Sequence, residues 1–257
     1  MIKVEIGKIS CCGANELLNQ SDIISFLKRN PKAEIGIGVS EEKGGFGTPR
    51  FDFVKNLFSQ LENGAIALHI NGEWSNQIAN LGEMPKELND LIKLSPKKFR
   101  MQINFVGSGF ANSDNADNLA KLVEKYFGKV KFIIPYGEKS SDFVNNLFLK
   151  TRNFDVLYDS SFGTGKAADS YPSKFAGKLV QGYAGGLSPE NICEKLDNIE
   201  KIQNIKTPIW IDAESKLRKD DQNTLALEKS QKFVDSVLAW QEKRRNQEKS
   251  FCFFRQF

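Results

Sequence analysis

Apolar, β-prone runs recur along the chain at fairly regular intervals: IKVEIGKI (2–9), AEIGIGVS (33–40), AIALHIN (65–71), RMQINFVG (100–107), KVKFIIPYG (129–137), FDVLYDSS (154–161), KLVQGYAGG (178–186) and TPIWIDAE (207–214). Several are apolar nearly throughout rather than alternating, as expected of parallel strands covered on both faces. Between most of them the apolar positions switch to helical spacing. Phe53, Val54, Leu57, Phe58 and Leu61 share one helical face, as do Leu119, Leu122, Val123, Tyr126 and Phe127. Phe143, Val144, Leu147 and Phe148 repeat the pattern, followed by Ile192, Leu196, Ile199 and Ile202, and by Leu227, Val234, Val237 and Leu238. Such stripes read as core rather than as ligand grooves. Ser21 before DIISFL marks one helix start; Ser188-Pro189-Glu190, read as N-cap, N1 and N2, marks another. The short segment 167–177 holds Pro172, which argues against a full helix there.

Strand and helix alternating eight times predicts a parallel α/β architecture, and eight units close a barrel. The expected fold is a single (β/α)8 TIM barrel over residues 1–242, with an open doubly wound sheet as the alternative. Residues 243–257, KRRNQEKSFCFFRQF, form a charged stretch ending in aromatics. This tail could pack across the barrel bottom, meet a partner or a second copy of the chain in a homo-oligomer, or fray.

Composition narrows the class. The 257 residues suit one barrel, and 40% apolar with 26% charged residues is ordinary for a soluble globular protein. The net charge of +4 arises from 36 basic and 32 acidic residues scattered along the chain, too diffuse to argue for a nucleic-acid partner. No apolar run approaches membrane-helix length, and the first residues lack a signal-peptide core, so no membrane partner is expected. Cys11, Cys12, Cys193 and Cys252 show no metal-ligand spacing, and adjacent cysteines make a strained disulfide. Reduced thiols in the cytoplasm, with no metal and no cofactor, are the expectation.

In a barrel the C-terminal strand ends share one mouth, where enzymes of this architecture place their chemistry. The polar groups with that address are Lys8 to Cys12, Ser40, His69 with Asn71, Asn104, Tyr136, Asp159, Gly185 with Gly186, and Asp212 with Glu214. The clusters FGTG (162–165) and AGG (184–186) could bring backbone N–H groups close to an anion. A helix start after Ser188 would add its dipole, and Lys166 or Lys216 its charge. His69 is the only histidine, and its ordinary pKa suits acid–base work near neutrality. Structural duties are the plainer alternative for each: turns for the glycines, a hydrogen bond for His69, a cap for Asp159. Asp212 and Glu214 could pair, or bind the backbone of the following loop.

LYDSSFGTGKAAD followed by GYAGGLSPENI resembles phosphoribosylanthranilate isomerase, a family with a strand ending in Leu-Leu-Asp, then Gly-Gly-Thr-Gly, then Ala-Gly-Gly-Leu with Pro-Glu-Asn. MQIN (101–104), TPRFDFV (48–54) and WIDAES (210–215) are similar to other family segments by two or three residues each. The resemblance implies an eight-stranded barrel and an Amadori rearrangement of a phosphorylated aminoaldose without a cofactor. It casts Asp159 as the general acid and Gly163, Thr164, Gly165, Gly185 and Gly186, beside Ser188, as a phosphate cradle. Arg50 would meet a substrate carboxylate. The family's base is a cysteine in Lys-Ile-Cys-Gly; KISCCG offers Cys12 with one inserted residue, whereas alignment on VEIG puts Gly7 there. His69 is the other candidate base. The chain departs from the family at Phe162, Asn104 and Glu214, and a carboxylate at 214 would repel phosphate. These departures keep open a lyase or isomerase acting on another anionic small molecule, and a non-catalytic scaffold barrel.

Overall fold

The computed structural model describes residues 4–61, 65–95, 98–104, 113–159, 170–172, 175, 179–203, 207–220 and 223–254. Eight strands, β1 (Val4–Ala14), β2 (Ala33–Val39), β3 (Ile66–Ile70), β4 (Phe99–Ile103), β5 (Val130–Tyr136), β6 (Phe154–Asp159), β7 (Gln181–Ala184) and β8 (Thr207–Ala213), pair in parallel in sequence order. β8 closes onto β1, which makes a (β/α)8 barrel and excludes the open sheet.

Each predicted run contributes its strand, but β1 continues to Ala14. Its register against β8 shifts between Ile6 and Lys8, so Gly7 is the extra residue of a bulge. A second shift, against β2, falls between Cys12 and Ala14, where Gly13 has a φ of 101°. The bulge at Gly7 lies low in the barrel, and Cys12 reaches the upper end beside Gly36.

Helices α1 (Gln20–Arg29), α2 (Glu41–Gly44), α3 (Pro49–Gln60), α4 (Gly72–Leu81), α5 (Lys86–Leu94), α6 (Ser113–Lys125), α7 (Ser141–Lys150), α8 (Ile192–Ile202) and α9 (Leu227–Phe254) accompany the strands. Their apolar stripes fill the layer between barrel and helices, with two exceptions: Phe127 is 69% exposed and Leu238 lies at the surface. Asn19 rather than Ser21 caps α1, its side chain accepting the Ser21 N–H at 2.9 Å. α8 begins at Ile192 rather than Pro189, because Ser188 to Asn191 form a tight turn ahead of it. α9 runs on through residue 243 without a break. Arg244 on it pairs with Asp197 and Glu200 of α8, so the start of the tail packs along the helical layer. Most of segment 167–177 lies outside the described residues. Among those described, no helix is long and apolar enough to cross a membrane.

Alternate strand residues turn inward. Halfway up the barrel, Ile133, Leu157, Ala184 and Trp210 form an inner apolar cluster separate from the main core. Gly182 makes it possible, since a Cβ there would collide with the Trp210 indole. The Arg100 guanidinium stacks 3.8 Å from the centroid of that indole and lies 3.2 Å from Glu34, which accepts a 2.9 Å hydrogen bond from Ser10. This layer plugs the barrel. Above it is the mouth. Below it is a cavity of about 500 Å3 lined by Lys8, Arg100, Lys131, Asp155 and Trp210 among others.

Candidate active site

The bulge in β1, the close packing of β2 and the inward registers of β3 and β8 bring three chemically distinct side chains together at the mouth end. The Cys12 thiol donates to Asp212 Oδ2 at 3.3 Å, and its Sγ is 3.7 Å from His69 Nε2. Gly36 lies between β1 and β3 with no side chain to separate them. A Cβ on it would strike Cys12 Sγ and approach His69 Nε2 to 3.0 Å. Cys12 is fully buried, whereas His69 and Asp212 each keep 6% of their surface. The two that retain surface are the ones a molecule in the mouth can touch.

Burial dominates the electrostatics of this cluster. It pushes the Cys12 thiol well above its ordinary pKa, with the Asp212 and Glu214 charges adding to the effect. Burial likewise raises Asp212 to about 8, against the hydrogen bond from Cys12 and with the charge of Glu214. His69 is held below its ordinary value, mainly by burial and partly opposed by Glu214 and Glu34. Amides continue the polar rim: Gln102 donates to Asn104 at 2.7 Å, Asn104 to Asn71 at 3.0 Å, and Asn71 to the His69 carbonyl at 2.9 Å.

Asp159 ends β6, on the same inward parity as Leu157 and half-exposed, three strands around the barrel from β1 by way of β7 and β8. Gly185 and Gly186 follow β7 with φ values of 99° and 59°, the left-handed region that favours glycine. Ser188 is occupied by its own turn. Its N–H donates to Asn191 Oδ1 at 2.9 Å, and its Oγ accepts from the Glu190 N–H at 3.3 Å. Arg50, at the start of α3, donates to the Gly38 carbonyl at 2.6 Å and pairs with Glu16. The carboxylate it holds therefore comes from the chain itself. Gly163, Thr164, Gly165 and Lys166 lie outside the described residues. Glu214, expected to oppose an anion, pairs with Arg218 rather than Lys216, and both pack over Gly13.

Cys12, His69 and Asp212 are separated by 57 and 143 positions along the chain and meet only when the barrel closes, so no local pattern joins them. Asp212 and Glu214, read as a carboxylate pair or as binders of the following loop, part because β8 ends at Ala213: Asp212 stays in the strand facing Cys12, and Glu214, already past it, pairs with Arg218. Glu34 and Arg100 were missed as well. Their signal lies in the strands: Glu34 is the single charged residue of AEIGIGV and Arg100 that of FRMQI.

These features define a (β/α)8 barrel with a polar mouth and a buried Cys–His–Asp cluster. In fold it is similar to phosphoribosylanthranilate isomerases. The enzyme from Thermotoga maritima superposes with a TM-score of 0.55 at 13% identity, covering 91% of this chain and 100% of that one. The enzyme from Pyrococcus furiosus gives 0.51 at 15% identity, covering 91% and 100%. A third solved structure of this isomerase, in complex with reduced 1-(o-carboxyphenylamino)-1-deoxyribulose 5-phosphate, gives 0.54 at 13%, again covering 91% and 100%. At such identities the likeness is one of fold. No protein-family model matches the chain, and no curated protein matches it in sequence.

Proposed function

We propose that this protein is an isomerase that binds an anionic, phosphorylated sugar derivative at the barrel mouth and rearranges it by acid–base chemistry. The observation that carries this reading is the gathering of Cys12, His69 and Asp212 at the mouth end of a barrel of this fold, with Asp159 at the end of β6. Asp159 donates a proton to the ring oxygen as the ring C–O bond breaks, and the nitrogen lone pair forms the C=N bond. The Cys12–His69–Asp212 side accepts the proton from the neighbouring carbon. The C–H electron pair becomes C=C, and the C=N pair returns to nitrogen. The resulting enol reketonises by moving its hydroxyl proton to the former anomeric carbon; the proton on the Cys12–His69–Asp212 side is released to solvent and Asp159 takes one back, so substrate and side chains balance. Gly185 and Gly186 supply part of the phosphate cradle.

The engagement of Arg50 with Glu16 favours a substrate other than the carboxylate-bearing phosphoribosylanthranilate, because that carboxylate would first have to displace Glu16. The test follows loss of phosphoribosylanthranilate fluorescence, alongside thermal protection by ribose 5-phosphate and by ribose. Chelator-treated and zinc-supplemented protein are assayed in parallel. Turnover that Asp159→Asn lowers by about 100-fold or more supports the acid role, general acid–base catalysis being worth about 10²–10⁴-fold. Folded protein without turnover, protected by ribose 5-phosphate but not by ribose, keeps the anion site and replaces the substrate. Protection by neither sugar phosphate nor sugar, with no turnover, refutes the reading.

A further inference from the structure

We infer that Cys12, His69 and Asp212 form a binding site for one divalent transition-metal ion of the zinc class, with a fourth coordination position open to the barrel mouth. Tetrahedral zinc takes sulfur at about 2.3 Å and nitrogen or oxygen at about 2.0–2.2 Å, which sets donor-to-donor edges of about 3.5 Å. Here the sulfur-to-nitrogen edge is 3.7 Å and the sulfur-to-oxygen edge 3.3 Å, and all three donor atoms lie within 4.8 Å of one another. Three strands supply one ligand each, so the frame is the barrel itself rather than a loop.

A second observation is independent of those distances. Cys12 and His69 approach across β2 because Gly36 has no side chain, and Asp212 meets Cys12 from β8 on the other side of β1. A Cβ on Gly36 would occupy space taken by Cys12 Sγ and lie 3.0 Å from His69 Nε2. Glu34 and Glu214 both act electrostatically on the cluster, and each has its own cation partner, Glu34 in Arg100 and Lys8 and Glu214 in Arg218. One thiolate, one imidazole and one carboxylate make a donor set for zinc, cobalt or a neighbouring transition metal, and not for magnesium or calcium. Three protein ligands with one open position is the arrangement of catalytic rather than structural zinc.

Metal binding does not depend on the isomerase reading. With a metal bound, these three side chains are ligands and not a free proton acceptor, so the isomerase step belongs to the metal-free protein.

The experiment is a cobalt titration of the full chain after chelator treatment, read by absorption without substrate. One equivalent should give the visible bands of a four-coordinate site and a near-ultraviolet sulfur-to-cobalt charge-transfer band, and one equivalent of zinc should bleach both. Cys12→Ser should remove the charge-transfer band, while Cys193→Ser, at the exposed thiol, should leave it. His69→Phe and Asp212→Asn should each weaken binding by more than the ~10- to 100-fold that loss of an outer-shell partner costs. Competition of wild-type protein with a chromophoric chelator gives the affinity even if a variant does not fold. A folded wild-type protein with no charge-transfer band, a six-coordinate spectrum, or a band that survives Cys12→Ser overturns the site. The fluorescence assay is a separate measurement, so failure of either reading is told apart from failure of the other.

Discussion

Two glycines decide how closely the barrel interior can pack. Gly36 lets β1 and β3 bring Cys12 to His69, and Gly182 admits the Trp210 indole that plugs the barrel. Gly182→Ala would drive a methyl group into a ring buried to 99% and stacked against Arg100, with no flexible chain end to yield. Overpacking of this kind costs about 1–3 kcal/mol. For a chain of this size each kcal/mol lowers the melting temperature by about 2–4 °C. Calorimetry should therefore show a clear drop, and an unchanged melting temperature would contradict the placement of Trp210 against β7. The sequence marked both glycines only as members of apolar strand runs. What each makes room for comes from a neighbouring strand, and no local pattern contains it.

At the scale of elements, the eight strands and most helices were legible because their apolar spacing is strong and local. Ends were less so. Ser21 looked like the cap of α1, yet Asn19 takes that place and Ser21 donates to it through both N–H and hydroxyl. Asn19→Ala should thus cost about 1 kcal/mol, the usual worth of a cap, and Ser21→Ala distinctly less. Equal losses in denaturant midpoints would point back to Ser21. The start of α8 slipped for a similar reason: Pro189 is compatible with a first helical position, but Asn191 folds its side chain back to the Ser188 N–H and the Gly186 carbonyl. A competing side-chain hydrogen bond of this sort depends on loop geometry that spacing does not reveal.

For the whole molecule, barrel closure creates buried charge. Below the Trp210 plug, Lys8, Glu34, Arg100, Lys131 and Asp155 come from five strands and face one interior. Burial raises the Asp155 pKa, although Lys131 at 3.4 Å and Arg100 oppose the shift. A carboxyl whose folded-state pKa is raised holds its proton more tightly in the native state than in the unfolded chain. Its contribution to stability is complete below the ordinary Asp range near 4 and is lost as pH rises through the folded value. Asp155→Asn should therefore flatten the fall in stability with pH that begins just above the ordinary Asp range. Urea melts at a series of pH values read this directly, and an unaltered slope would place the titration elsewhere.

The sequence by itself determined the number of strand–helix units, their parallel α/β character and the residues at the strand ends, with a closed barrel expected and an open sheet as the alternative; these follow from the local switch between strand and helix spacing and from the rule that parallel strands feed one mouth. Only the tertiary structure decided which of those residues meet. Register, bulges and glycine contacts set the distances between Cys12, His69 and Asp212, sent Glu214 to Arg218 instead of to Asp212, and gave Arg50 a carboxylate from Glu16. The physical reason is range. Strand and helix propensity act over a few residues, whereas a site at a barrel mouth is assembled from side chains scores of positions apart, brought together only by closing the sheet.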